Sequence, residues 1–283
     1  MKPIIFYLSS LFEFPQCETA DFILRQFPDG ESYIKINSDI KNKEIIILES
    51  LNNPNQKIVP LLFLAKAIRE QGAKNITLIS PYLPYMRQDK IFNQGEGLTS
   101  KYFAELLSTY FDKLITVDPH LHRYKILSEI YSIKSTVLHA TKEIAGYIKN
   151  TVKNPFIIGP DGESKQWAKE IADDVDAPYV IAQKKRNSDY EVDMQIPDVE
   201  KFKKYTPVLI DDIISTAQTM IKAVNYLKAL GFVPPVCIGV HAVFADKAYE
   251  NLLAVGPAKI ISCNTIKHVS NKIDLSDLLG SVI

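Results

Sequence analysis

The run Pro207-Val208-Leu209-Ile210-Asp211-Asp212-Ile213-Ile214-Ser215-Thr216-Ala217-Gln218-Thr219-Met220 carries more chemistry than any other stretch of the chain. Its apolar, β-branched start is that of a buried parallel strand. Two carboxylates follow, Asp211 and Asp212, and then three hydroxyls, on Ser215, Thr216 and Thr219. A helical pattern comes next, with Met220, Ala223, Val224, Leu227 and Leu230 on one face and Gly231 as a C-terminal stop. Loop N–H groups and a helix N-terminus attract an anion, and the hydroxyls can donate to its oxygens. The carboxylates suit sugar hydroxyls and a hydrated Mg²⁺ rather than phosphate. The implied ligand is a sugar phosphate with a metal nearby. The plainer alternative is a strand-to-helix turn in which Asp212 or Ser215 serves only as a cap. The complete series of groups between strand and helix favours the ligand.

Three further stretches offer charged or stacking groups. Ser80 to Lys90 follows a strand, is stiffened by Pro81, Pro84, Tyr82 and Tyr85, and ends in Arg87-Gln88-Asp89-Lys90. Arg can fork onto a phosphate and Gln can pair with a base edge. A rigid turn whose charges pair with each other explains the run equally well. Lys184-Lys185-Arg186 heads a polar segment from Gln183 to Tyr190. It reads either as a solvated charge run or as a mobile loop that stabilises charge developing in a phosphoryl transfer. Phe27-Pro28-Asp29-Gly30-Glu31 has the composition of a turn between two strands.

Strand-like and helical runs alternate around these stretches. Strands are predicted at Met1 to Leu8, Ile45 to Leu48, Ile76 to Ser80, Leu114 to Val117, Phe156 to Ile158, Tyr179 to Ala182, Val236 to His241 and Lys259 to Ser262, and Glu191 to Ile196 can pair as another. Helices are predicted at Ile58 to Gln71, Ser100 to Tyr110, Thr141 to Lys149, Ser164 to Asp173 and Asp246 to Leu253. The pattern is that of α/β domains with mainly parallel sheets flanked by helices. A strand–helix–Gly–strand unit in each half, around Gly72 and Gly231, implies two related domains, 1–142 and 143–283. The chemical stretches fall beyond the carboxyl ends of strands, where open α/β sheets bind ligands.

Equal numbers of basic and acidic residues, 33 of each, give zero formal net charge and no global pull toward nucleic acid or an anionic membrane. An anion site must therefore be local. Cys17, Cys237 and Cys263 form no metal-ligand spacing and are expected to be reduced, buried and inert. No apolar run reaches membrane-spanning length, and the N-terminus reads as a strand rather than a secretory signal, so a cytoplasmic location is expected.

The Asp211 to Thr219 run resembles the phosphoribosyl pyrophosphate (PRPP) binding loop shared by phosphoribosyltransferases and ribose-phosphate pyrophosphokinases. The Pro81 to Lys90 run resembles the ATP loop of the pyrophosphokinases, where proline, tyrosine and Arg-Gln-Asp recur in this order, and it separates the two families. The resemblance extends from about Phe27 to the C-terminus and is greatest to the shorter, archaeal-like members. It implies two phosphoribosyltransferase-type domains with the active site between them, and transfer of diphosphate from Mg·ATP to ribose 5-phosphate. Residue by residue, it implies that Asp211, Asp212, Ser215, Thr216, Ala217, Gln218 and Thr219 hold ribose 5-phosphate. Arg87, Gln88 and Asp89 place ATP. Phe27, Asp29 and Glu31 complete the ATP site of a neighbouring subunit, which implies a homo-oligomer, at least a dimer. His120 and Asp161 serve Mg²⁺, and Lys184 and Arg186 neutralise the transferring group, with Lys185 able to take the lysine role. His122, His139, His241 and His268 are read as structural or solvent-facing. Where the family usually has glycine, this chain has Glu163, and it has no glycine at Ala217 or Gln218. Two other readings remain open: a non-catalytic or regulatory relative, which these departures favour, and a phosphoribosyltransferase that consumes PRPP, against which Pro81 to Lys90 argues.

Overall fold

A run such as Glu44-Ile45-Ile46-Ile47-Leu48 has four successive apolar residues and no polar face, so it is buried only as a strand covered on both sides. The computed structural model describes residues 2–162, 164–186 and 192–283. These fall into two units, Met1–Leu138 with Ser276–Ile283, and His139–Leu275.

The first unit contains β1 (Ile4–Tyr7), β2 (Glu18–Thr19), a hairpin of β3 (Phe22–Gln26) and β4 (Ser32–Ile36), β5 (Glu44–Leu48), α1 (Pro54–Glu70), β6 (Asn75–Ser80), α2 (Thr99–Tyr110), β7 (Lys113–Val117) and β8 (Lys134–Leu138). Among the described residues its main sheet has six strands, all parallel, in the order β2-β1-β5-β6-β7-β8. Helix α1 starts at Pro54 rather than at Ile58, because proline suits the first turn, where its missing N–H has no partner to lose. Its buried Leu61, Leu64, Ala65 and Ile68 share one core with Ile4, Phe6, Ile45, Ile76 and Leu78.

The second unit contains α3 (Thr141–Thr151), β9 (Pro155–Gly159), α4 (Lys165–Val175), β10 (Tyr179–Ile181), a hairpin of β11 (Gln183–Arg186) and β12 (Val192–Gln195), β13 (Thr206–Ile214), α5 (Gln218–Ala229), β14 (Val236–Ala242), α6 (Ala248–Ala254), β15 (Lys259–Cys263) and β16 (Asn271–Ile273). Its parallel sheet runs β10-β9-β13-β14-β15-β16. The order matches that of the first unit position by position, and each unit inserts its antiparallel hairpin at the same point in the chain. The relation between the halves is therefore one of topology, of which the sequence displays only the layout.

The fold departs from the sequence reading in four places. The division falls after Leu138, and the final residues Ser276–Ile283 join the first unit, where Gln16 Nε2 donates to Gly280 O over 3.2 Å. The central strand continues through the acidic pair as far as Ile214, so Asp211 and Asp212 lie on β13 itself rather than following it. Gln183–Arg186 is a strand, paired antiparallel with β12. Residues 187–191 of the expected mobile loop, and Glu163, lie outside the described residues. Cys237 and Cys263 are buried, but Cys17 is only half-buried. Burial pushes the Cys237 thiol up to about 12, which keeps it protonated and inert. Among the described residues no helix is long and apolar enough to cross a membrane.

Candidate active site

Strand β13 places Asp211 opposite Gly239 of β14, at the carboxyl end of the second sheet. The absence of a side chain at Gly239 makes room for Ile214: a Cβ there would meet Ile214 Cγ1 at 2.6 Å. The chain after β13 is pinned by Phe244 N donating to Ile214 O (2.9 Å) and Ala245 N donating to Ser215 O (3.0 Å). It then enters α5 through Ala217, which is buried and holds φ at +59°. The N-cap position is thus taken by a residue without a polar side chain, not by Asp212 or Ser215. Thr216 and Gln218 are exposed and Thr219 half-buried around the start of this helix.

The carboxylates are crowded. Asp211 Oδ1 accepts from the Asp212 N–H at 3.1 Å, and Asp212 Oδ1 accepts from the Ile213 N–H at 2.7 Å. Asp161 follows β9, the neighbour of β13, in a turn closed by Ser164: Ser164 N donates to Asp161 Oδ1 (3.2 Å) and Ser164 Oγ donates to Asp161 O (2.6 Å). Burial, and then the adjacent charges of Asp212 and Asp161, push the Asp211 carboxyl well above the usual carboxylate range. Three carboxylates held together against their own repulsion suit a hard, oxygen-preferring divalent cation, so this set fits Mg²⁺.

In the first unit the loop after β6 is internally ordered. Ser80 Oγ donates to Tyr82 O, and Tyr85, at φ +63°, donates its hydroxyl to Asn55 Oδ1. Gln88 Oε1 accepts from Thr99 Oγ1 at 2.9 Å at the start of α2. Asp89 pairs with Arg123 (Nε to Oδ1, 3.2 Å), and its carboxylate side chain is only 7% exposed. Asp89 thus takes its charge partner from outside the loop, after β7, rather than from within it. After β7, Asp118 and His120 occupy left-handed backbone, and His120 Nδ1 lies 2.9 Å from His122 Nε2.

Phe27 sits at the tip of the β3–β4 hairpin. Phe27 N donates to Glu31 O, Glu31 N donates to Asp29 Oδ1, and Gly30 supplies the φ of +93° that the turn needs. Phe27, Asp29 and Glu31 are exposed. The Arg25 guanidinium lies over the Phe27 ring at 4.8 Å and over Tyr33 at 4.4 Å. Lys184 and Arg186 lie on β11, in register with Met194 and Val192. His241 is buried and shares a 2.9 Å hydrogen bond with Thr265, a structural role. Arg25 and Arg123 lie against these residues without having been given a role from the sequence, and His122, read as structural or solvent-facing, lies against His120. Arg123 meets Asp89 across 34 residues of chain, so no local spacing could reveal it.

Two topologically matched parallel sheets, one with an acidic pair and a hydroxyl loop at the end of its central strand, define a phosphoribosyltransferase-type protein. Residues 9–110 match the model of the N-terminal domain of ribose phosphate pyrophosphokinase, and residues 127–276 match that of the phosphoribosyl transferase domain. The ribose-phosphate pyrophosphokinase of Saccharolobus solfataricus is 34% identical over 259 residues, covering 90% of this chain and 88% of its own. That of Pyrococcus abyssi is 32% identical over 257 residues, with the same two coverages. The crystal structure of phosphoribosylpyrophosphate synthetase from Mycobacterium smegmatis shares the fold, with a TM-score of 0.85 over 99% of this chain and 97% of that one, at 24% identity. The chain belongs to the ribose-phosphate pyrophosphokinase family.

Proposed function

We propose that this protein is a ribose-phosphate diphosphokinase, converting ribose 5-phosphate and Mg·ATP to PRPP and AMP. The observation that carries this reading is the 34% identity to a ribose-phosphate pyrophosphokinase across 90% of the chain, which spans both units. The ligands are small molecules; neither nucleic acid nor membrane is a partner.

The hydroxyls of Ser215, Thr216 and Thr219, with the backbone at Ala217 and Gln218, hold the 5-phosphate at the start of α5. Asp211 and Asp212 accept from ribose hydroxyls or join Asp161 around Mg²⁺. His120 serves the metal of the nucleotide. Arg87 forks onto phosphate, Gln88 takes the base edge, and Asp89, tied to Arg123, orders the loop that carries both. Phe27 stacks on the adenine of a neighbouring subunit's site, with Asp29 and Glu31 beside it, which makes the protein at least a dimer.

The C1 hydroxyl oxygen of ribose attacks the β-phosphorus of ATP. The bond from that phosphorus to the α,β-bridging oxygen breaks, AMP leaves with the oxygen, and the hydroxyl proton passes to solvent. Lys184 and Arg186 neutralise charge on the transferring diphosphate, so no protein base is needed. Bound Mg²⁺ supplies further neutralisation of the phosphates. With purified protein, AMP formation is expected to require both ribose 5-phosphate and Mg²⁺. Lys184→Ala is expected to lower kcat by about a hundredfold or more. Ribose-independent release of AMP would overturn the reaction, and an unchanged kcat would remove Lys184 from it.

A further inference from the structure

Side chains alternate between the two faces of the β3–β4 hairpin, so Arg25 and Phe27, two residues apart, share a face. The ladder still holds at Phe27, whose N–H bonds Glu31 O over 2.7 Å. Tyr33 of β4 stands directly opposite Arg25 and joins the other two on that face. The rings of Phe27 and Tyr33 are nearly perpendicular, at 80° with centroids 5.8 Å apart. The Arg25 guanidinium lies over both, 4.8 Å from the centre of Phe27 and 4.4 Å from that of Tyr33. At both distances a ring quadrupole attracts a cation. Among the described residues this guanidinium has no hydrogen bond or ion pair, so the two rings are what hold it.

The contact acts in the other direction as well. Phe27 stands at a hairpin tip and is 39% exposed. A phenyl ring alone in such a place samples its rotamers, and it loses that freedom when a ligand stacks on it, which weakens binding. A guanidinium on one face, itself backed by Tyr33, restrains the ring before the ligand arrives. It also leaves only the opposite face for a base. We propose that Arg25 is a positioning residue of the nucleotide site, bracing the Phe27 ring against Tyr33 so that one fixed face meets the adenine of a neighbouring subunit's site. This rests on the assignment of Phe27 to that adenine.

The first test measures affinity of the full-length protein for a non-hydrolysable ATP analogue with Mg²⁺. Arg25→Ala is expected to weaken binding about two- to fivefold, and Arg25→Lys to recover part of the loss, because an ammonium is also drawn to a ring face. The double variant Arg25→Ala, Phe27→Ala is expected to bind no more weakly than Phe27→Ala alone. In turnover, Arg25→Ala should raise KM for ATP and leave KM for ribose 5-phosphate as it was, a split that general loosening of the fold would not give. The second test needs no variant. In proton NMR of the unaltered protein, the δ-methylene signals of labelled Arg25 should lie upfield of the ordinary arginine position, shifted by the two rings. An unshifted Arg25 signal, fully additive losses in the double variant, or weakened binding in Phe27→Ala but not in Arg25→Ala would each overturn the proposal alone. Unchanged affinity in both single variants would remove Phe27 from the site and this proposal with it.

Discussion

Asp211 is the residue where the cost of the site is most visible. Its carboxyl is pushed up by burial and by two neighbouring carboxylates, a state that a bound cation or sugar hydroxyls relieve. Ala217 bears a second cost, since it holds φ +59° where glycine would do so freely. Ala217→Gly is expected to leave stability unchanged or raise it by up to ~1 kcal/mol, because relief of the left-handed backbone offsets the added freedom of the unfolded chain. A denaturation midpoint checks this, and a clear loss of stability would contradict it. Glu49 is a buried acid of the first unit, 4% exposed and paired with Lys57 Nζ at 2.7 Å. Burial outweighs the ammonium and raises its carboxyl above the ordinary value. The fold thus favours the protonated form. That contribution is present below the unfolded value of about 4.3 and is lost as pH rises through the raised folded value. Glu49→Gln should therefore gain in melting temperature relative to the unaltered protein as pH goes from 4 to 7. A gap that stays constant or reverses would show that the Lys57 pair outweighs the burial.

Among the elements, those with an apolar face are the ones that sequence reveals. β5, β9, β13 and β14 are apolar runs buried on both sides, and α5 shows its face through Met220, Ala223, Val224 and Leu227. The sheet edges are not legible. β8 (Lys134–Leu138) is at most half-buried and β16 is three residues long, so neither has an apolar run to read. β11 has no apolar residue at all and reads as a polar loop, yet it is paired along its length with β12. The acidic pair and hydroxyls are legible because they are consecutive. Asp161 beside Asp211 and Arg123 on Asp89 depend on how the chain returns, which local spacing does not report. The seam between β13 and β14 shows why that geometry matters. Gly239→Ala would put a Cβ 2.6 Å from Ile214 Cγ1, at the end of the strand that bears Asp211 and Asp212. We expect a loss of about 1–3 kcal/mol, read from a denaturation curve, together with a raised KM for ribose 5-phosphate. An unaltered midpoint would mean that Ile214 moves aside at no cost.

The molecule as a whole repeats one sheet topology and puts different chemistry on each copy: carboxylates and hydroxyls on the second, arginine, glutamine and imidazoles on the first. The exposed hairpin tip at Phe27 supports a site completed by a second subunit. Mixing subunits tests this. Phe27→Ala and Lys184→Ala proteins, each nearly inactive, are unfolded and refolded together in equal amounts. For a dimer with shared sites the mixture should recover about one quarter of full activity, because half the dimers are mixed and each has one intact site. No recovery, with mixed oligomers shown to form, would place Phe27 in its own subunit's site or outside any site. The central claim concerns which bond of ATP is broken, and phosphorus NMR of the purified protein with ATP, ribose 5-phosphate and Mg²⁺ reads it directly. AMP and a ribose-linked diphosphate should appear in equal amounts as ATP disappears. ADP in place of AMP, or ATP left unchanged, would contradict the account.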